Sequence, residues 1–246
     1  MMTILAPAYN EEAVIARFVE AVSPVLGPDD ELLVVDDGSA DSTPELLSRL
    51  RGVHPSLKVV THETNRGLGA ALVTGFREAS GDVIVTMDAD LSHPLDLVPA
   101  LVEACLSSDV AYASRFVPGG GMEGVGLLRS VISRVGNFAI RTLLRIRVRD
   151  TTTGFRAYRS EVLEGLHLKG RRFEAQLEIT ARLVDRGARI VEIPMTLTTR
   201  AAGESKMRYL PLIPVYGGML FRMMLLRWFG VDRAPAIVER RPETPG

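Results

Sequence analysis

Four short apolar runs in the first ninety residues constrain this chain more than any other feature. They lie at 3–6, 31–35, 58–61 and 82–87, and segments of helical period at 10–26, 43–51 and 68–79 separate them. Runs such as Leu32-Leu-Val-Val35, within the strand expected at 31–35, are apolar at successive positions, so both faces of each strand must be covered. Strands of that kind alternating with helices predict βαβ units, and hence an α/β, Rossmann-like, mostly parallel sheet flanked by helices. A further helix is expected at 95–106. In such sheets ligands bind beyond the carboxyl ends of the strands.

Three polar stretches fall at those ends: "PAYNEE" from Pro7, "VVDDGSADST" from Val34 and "DADLSHP" from Asp88. Asp88 and Asp90 close the most apolar strand one residue apart. An isolated pair of this type is commonly a solvated strand end. At the carboxyl edge of a parallel sheet it fits a hard divalent cation, which takes one or two carboxylates and completes its shell with substrate phosphates. Asp37 can accept hydrogen bonds from a base N–H or a ribose hydroxyl, while Asp36, Ser39 and Asp41 also suit a turn or helix cap. Tyr9 can pack on a base; the alternative for this stretch is a plain helix start with Asn10 as its cap. His93, before Pro94, reads as a structural turn residue. Gly67-Leu68-Gly69 lacks a third glycine in step and is not a dinucleotide fingerprint.

The second half is less regular. A strand is expected at 111–115, a mobile Gly-rich loop at 117–126, a basic helix at 127–145, then 154–158, a helix at 173–186 and a strand at 189–193. Residues 1–110 carry 18 acidic and 6 basic side chains, net −12, whereas 111–246 carry 12 and 23, net +11. A basic half of this size suggests an anionic ligand or surface. No aromatic-plus-basic stacking pattern points to nucleic acid. The single cysteine, Cys105, excludes an internal disulfide, and no signal peptide is expected from "MMTILAPAYN". Residues 209–230 are strongly apolar but interrupted by Pro211, Pro214, Arg222 and Arg227. That favours a helix lying in a membrane surface over a packed helix or a true span. The tail 231–246 is expected to be disordered.

In combination and in order, "PAYNEE", "VVDDGSADST", "NRGLGAALVTGF", "DADLSHP", "SRF", "LLRSVISRVGN", "DTTTGFRAYR" and "RAAGESKM" resemble family 2 nucleotide-sugar glycosyltransferases. More narrowly, they resemble the dolichol- or polyprenol-phosphate mannose synthases. The resemblance implies a GT-A fold over 1–208, with a nucleotide-binding half at 1–110 and an acceptor half at 111–208. It implies that Pro7, Tyr9, Glu11, Val35 and Asp37 line a nucleoside pocket. Asp88, Ala89 and Asp90 would hold Mg²⁺ or Mn²⁺ and the donor diphosphate. Arg115, Arg129, Arg200 and Lys206 would grip phosphates, with Asp90, Arg115, Arg129 and Arg200 closest to the chemistry. Ser92 stands where some relatives have Gln. The spacing of "RRFEAQLEI" departs from the usual Phe-Gln-x-Glu, which leaves Gln176 and Glu178 without an assigned role.

The expected reaction is metal-dependent, inverting transfer of mannose from GDP-mannose to a polyprenyl or dolichyl monophosphate. It would take place on the cytoplasmic face of a membrane to which the protein is peripherally attached, with room for a membrane protein partner. Glucose or an amino sugar from a UDP donor, or a sugar hydroxyl as acceptor, are the alternatives. A phosphohydrolase with Asp88 as nucleophile is disfavoured, because such enzymes place that motif on their first strand.

Overall fold

A computed structural model describes residues 1–124, 126–170, 172 and 174–197, leaving aside the side chains of 127–129. The chain runs β1 (Met2–Ala8), α1 (Ile15–Val22), β2 (Glu31–Asp36), α2 (Thr43–Arg51), β3 (Leu57–Thr61), α3 (Leu68–Glu78) and β4 (Val83–Thr86). It continues through α4 (Val98–Ala104), β5 (Val110–Ser114), β6 (Gly121–Met122), α5 (Leu127–Leu144), β7 (Arg156–Arg159), α6 (Ser160–Leu163), α7 (Glu174–Asp185), β8 (Ile190–Pro194) and β9 (Thr196–Leu197). Seven strands form one sheet in the order β3-β2-β1-β4-β7-β5-β8.

The apolar runs divide their side chains between two cores. Ile4 and Ala6 of β1, with Leu32 and Val34 of β2, pack against Phe18, Val19 and Leu47 on one face. Leu5, Leu33 and Val35 point the other way, onto Ala71 and Leu72 of α3. Alternate residues feeding opposite cores is the physical reason the central positions of these strands are apolar on both faces. Cys105 is buried in the first core, and burial pushes its thiol up to about 11.

Strands β1 to β4 are mutually parallel, and chain order reverses between β1 and β4. That is the switch point where a crevice opens above the strand ends. β7 inserts between β4 and β5, antiparallel to both, so the two halves share one continuous sheet.

Three expectations need correction. The first helix does not span 10–26 but begins at Ile15, and a 3₁₀ turn at Ser23–Val25 follows it. Asn10 is not its cap: it sits in the left-handed region at φ 52, because residues 10–12 are bonded across to 39–43 instead. The Gly-rich stretch contains strand β6, paired in parallel with β9 through Gly121↔Thr196 and Met122↔Leu197. Residues 209–230 and 231–246 lie outside the described residues. Among the described residues no helix is long and apolar enough to cross a membrane.

Helix α3 reaches the second half through Gly69, where an added Cβ would run into the Gly170 carbonyl. The segment carrying Gly170 is itself held, because the N–H groups of Lys169 and Gly170 donate to Glu178 Oε2 at 2.9 and 2.8 Å. A methyl forced into such a backbone contact destabilises by about 1–3 kcal/mol. Gly69→Ala is therefore expected to lower the melting temperature by several degrees in a thermal-denaturation measurement. An unchanged Tm would show that α3 and this segment move apart freely.

Candidate functional site

The turn that follows β4 is built from its own side chains. The Asp88 N–H donates to His93 Nδ1 at 3.2 Å, and the Ser92 N–H donates to Asp90 Oδ1 at 3.0 Å. The first bond places the proton of a neutral His93 on Nε2, the nitrogen 3.8 Å from Asp88 Oδ2. The ring stacks on Phe155 with centroids 4.9 Å apart and planes at 11°, so His93 is structural, as its position before Pro94 suggests. Leu91 takes φ 59 within this turn. Asp90 is buried, whereas the Asp88 side chain is 41% exposed at the mouth of the crevice.

The second half touches this turn directly. Thr86 Oγ1 donates to the Gly154 carbonyl at 2.8 Å, and a Cβ on Gly154 would lie 3.1 Å from Asp88 Oδ1. Glycine lets the segment 150–154 close on the exposed carboxylate.

Across the switch point, the loops after β1 and β2 are laced together. Ser39 donates its N–H and hydroxyl to Asp36 Oδ1 at 3.1 and 2.5 Å, and its Oγ accepts the Asn10 N–H at 2.9 Å. Asn10 Oδ1 accepts from Ala40 N, and Thr43 Oγ1 from Glu11 N. Asp41 takes the Thr43 hydroxyl at 2.6 Å and the Glu12 N–H at 3.1 Å. Its slight burial pushes the Asp41 carboxyl up, but those hydrogen bonds outweigh that and hold it below its ordinary value. Asp37 accepts from the N–H groups of Arg66 and Gly67 and from His62 Nδ1. Tyr9 is exposed at the rim and Pro7 is half-buried behind it. Val35 and Ala89 are core residues, so their side chains support the floor of the site.

The sequence missed a buried polar network in the second half. Asp150 is fully buried and accepts from Arg115 three times: N at 3.1 Å, Nε at 2.7 Å and, through Oδ1, Nη2 at 2.7 Å. Burial alone pushes the Asp150 carboxyl up, but the Arg115 hydrogen bonds and charge outweigh this and hold it below its ordinary value. Arg115 also donates to Thr152 Oγ1. Arg115, to which the resemblance assigns a grip on phosphate, is hydrogen-bonded in this way to the loop at 150–152. Asn137 of α5 accepts the Thr151 N–H and hydroxyl, and Glu192 of β8 accepts the N–H groups of Arg149 and Asp150. Arg156, wholly buried, donates to the Thr151 and Gln176 carbonyls and lies 4.1 Å from the Tyr112 ring centroid. Gln176 is buried beside it, and Glu178 braces Lys169, Gly170 and Arg182. Charged residues inside the otherwise small, uncharged "DTTTGFR" were the available signal. The Arg129 side chain, Arg200 and Lys206 lie outside what the structure describes.

Comparison with known proteins agrees with this geometry. The family described as Glycosyl transferase family 2 matches residues 3–166. A dolichol-phosphate mannosyltransferase of Pyrococcus furiosus is 38% identical over 239 residues, covering 94% of this chain and 66% of that protein. This chain therefore spans slightly less than two thirds of that relative's length. An undecaprenyl-phosphate mannosyltransferase of Micrococcus luteus is 38% identical over 217 residues, 84% of this chain and 87% of the other. A polyprenol monophosphomannose synthase of Mycolicibacterium smegmatis is 39% identical over 214 residues, 83% and 80% of the two chains. Among solved structures, glucosyl-3-phosphoglycerate synthase from Mycobacterium tuberculosis, in complex with Mn²⁺, UDP and glucosyl-3-phosphoglycerate, superposes with a TM-score of 0.68 at 25% identity, over 95% of this chain and 81% of that one. With its GT-A sheet and its paired aspartates at the switch point, the chain belongs to glycosyl transferase family 2.

Proposed function

We propose that this chain transfers mannose from GDP-mannose to the phosphate of a polyprenyl monophosphate, with inversion at the anomeric carbon. The observation that carries the reading is the seating of Asp88 and Asp90 across the switch point from the loops at 9–14 and 37–43. Relatives at 38–39% identity are named for mannose transfer to dolichol, undecaprenyl or polyprenol carriers.

The donor set fits a divalent ion. Asp88 and Asp90, one residue apart just beyond β4, offer a pair of carboxylates. Donor phosphates and water would supply the remaining oxygens, the usual arrangement for Mg²⁺ and one open to Mn²⁺. Bound there, the ion would offset the charge that develops on the departing nucleoside diphosphate. Asp90 is held in place by Ser92, and Asp88 is presented to the crevice between His93 and Gly154. Asp37, Glu11 and Tyr9 would take the nucleoside. The acceptor phosphate is already anionic, so no general base has to remove a proton; a sugar hydroxyl as acceptor would require one. What is required is to bring two anions together, a task for Arg129, Arg200 and Lys206. Arg115 serves by anchoring the loop at 150–154.

Helix α5 supports a lipid acceptor. Val131, Val135 and Phe138 recur at helical spacing along one exposed stripe, and Val135 and Phe138 are 61% and 65% exposed. Ile132 and Arg134 flank them. Aliphatic and aromatic residues exposed beside arginines suit the boundary of a bilayer.

Asp90→Asn is expected to lower mannose transfer from GDP-mannose to polyprenyl phosphate by about a hundredfold or more, in line with loss of an electrostatic contact to the transition state. Its Tm should stay within a few degrees, since Asn keeps the oxygen that accepts from Ser92 N–H. Chelation should abolish transfer, and Mg²⁺ or Mn²⁺ should restore it. Parallel assays with UDP-glucose and with soluble sugar acceptors check donor and acceptor, and a full rate in the Asn variant would reject the assignment. Replacing both Val135 and Phe138 by Asp is expected to reduce flotation with anionic vesicles by about tenfold, on the cost of burying charge at the interface. Transfer to a water-soluble short-chain acceptor should be unchanged.

A further inference from the structure

His62 is buried at the end of β3, outside every motif to which a role was assigned. Its backbone N–H donates to the Asp36 carbonyl at 2.9 Å, which fixes it against β2. Its ring lies between two polar groups: Nδ1 is 2.6 Å from Asp37 Oδ1, and Nε2 is 2.9 Å from Thr74 Oγ1. A carboxylate oxygen only accepts, so Nδ1 carries a proton and donates it to Asp37. The order Asp, His, Thr matches a nucleophilic triad. Thr74, however, is buried in the interior of α3, so its hydroxyl faces the imidazole and the core rather than a substrate. The chain of bonds therefore runs outward from the core to Asp37.

Asp37 is held from three directions. Oδ1 accepts from His62 and from the Arg66 N–H at 3.0 Å, and Oδ2 accepts the Gly67 N–H at 2.7 Å. A carboxylate offers about four acceptor positions, and these bonds fill both on Oδ1 and one on Oδ2. The carboxylate is thereby turned so that its remaining acceptor position is on Oδ2. We infer that His62 is the positioning residue of the nucleoside pocket, tying the Asp37 carboxylate to α3 so that Oδ2 meets a donor edge, an N–H or a hydroxyl of the nucleoside. The inference rests on the proposed reading that Asp37 contacts the nucleoside.

Because the nucleoside lies away from the reacting carbon, a loosened Asp37 weakens ground state and transition state alike and appears in KM rather than kcat. The test measures KM for the nucleotide sugar, kcat, and calorimetric Kd for GDP and UDP with Mn²⁺, in four variants. His62→Leu removes both hydrogen bonds. His62→Gln places its polar end toward Thr74 and loses the bond to Asp37, whereas His62→Asn keeps an N–H donor near the place of Nδ1. Leu and Gln are expected to raise KM and Kd by about tenfold, with kcat within about twofold, as for loss of an outer partner that orients a ligand-binding group. Asn should recover most of the affinity.

Equal Kd in Gln and wild type would overturn the inference, as would an Asn variant as weak as Gln. If the Leu variant does not fold, the Asn–Gln comparison decides alone. Asp37→Asn separates the two levels. Unchanged nucleotide affinity in that variant refutes the reading of the pocket itself. Weakened affinity there, with Gln behaving as wild type, refutes only the role of His62.

Discussion

The architecture of the site depends on one buried charge. Asp150 has no access to water, and an ion taken out of water costs several kcal/mol unless it is paired and hydrogen-bonded. Arg115 meets that requirement with its backbone N–H and two guanidinium nitrogens, and Thr153 N–H adds a further bond to Oδ1 at 3.1 Å. Losing one partner of such a pair typically costs about 3–5 kcal/mol, so the segment has little freedom to sit elsewhere. Asn137 then fixes Thr151, and Arg156 fixes the Thr151 carbonyl. The chain leaves this anchor toward β4, where Gly154 packs against Asp88 and accepts from Thr86. The geometry around the exposed carboxylate is in that sense inherited from an ion pair in the interior.

The same coupling explains the division of charge. The acidic half forms the β3-β2-β1-β4 side of the sheet and the described part of the basic half the β5-β8 side, with β7 between them. Inserting a strand of the second half beside β4 places the basic half next to the aspartates. An anionic donor held by a cation on the acidic side and an anionic acceptor held by arginines on the basic side would then meet at one seam.

Much of this was legible in the chain. Strands buried on both faces reveal themselves as unbroken apolar runs, so β1, β2, β3 and β4 and the carboxyl-end position of Asp88 and Asp90 could be read without coordinates. Helix α5 was also visible, within one residue at its end. The first helix was overextended because Asn10 to Ala13 have acceptable helical composition. Only the cross-links from Ser39, Asp41 and Thr43 reveal that this stretch is a loop. The pairing of Arg115 with Asp150 was not legible, because the two lie 35 residues apart in sequence. The same distance effect hid His62, Asn137 and Arg156, whose value comes entirely from what the fold brings beside them. Apolar periodicity is a local signal, whereas buried polar pairing is not.

Backbone conformation at the switch point carries the last part of the logic. Asn10 and Leu91, on either side of the crevice, both occupy the left-handed region, at φ 52 and 59. For Asn this is a mild excursion, but for Leu it costs roughly 1–2 kcal/mol. Such a residue persists only where its surroundings over-determine it. Around Leu91 the constraint comes from Ser92 N–H on Asp90, Asp88 N–H on His93, and His93 stacked on Phe155. Phe155 directly follows the segment that Asp150 anchors, and its N–H donates to Thr153 Oγ1 within it. The left-handed residue Leu91 lies in the turn beyond β4, next to the Ser92 N–H that donates back onto Asp90, so the strained turn that presents the aspartates is held in part by the second half of the molecule. The two halves are therefore joined in energy as well as in the sheet, and a loosened Asp150 anchor would be felt at Asp88 and Asp90 before it reached the nucleoside loops.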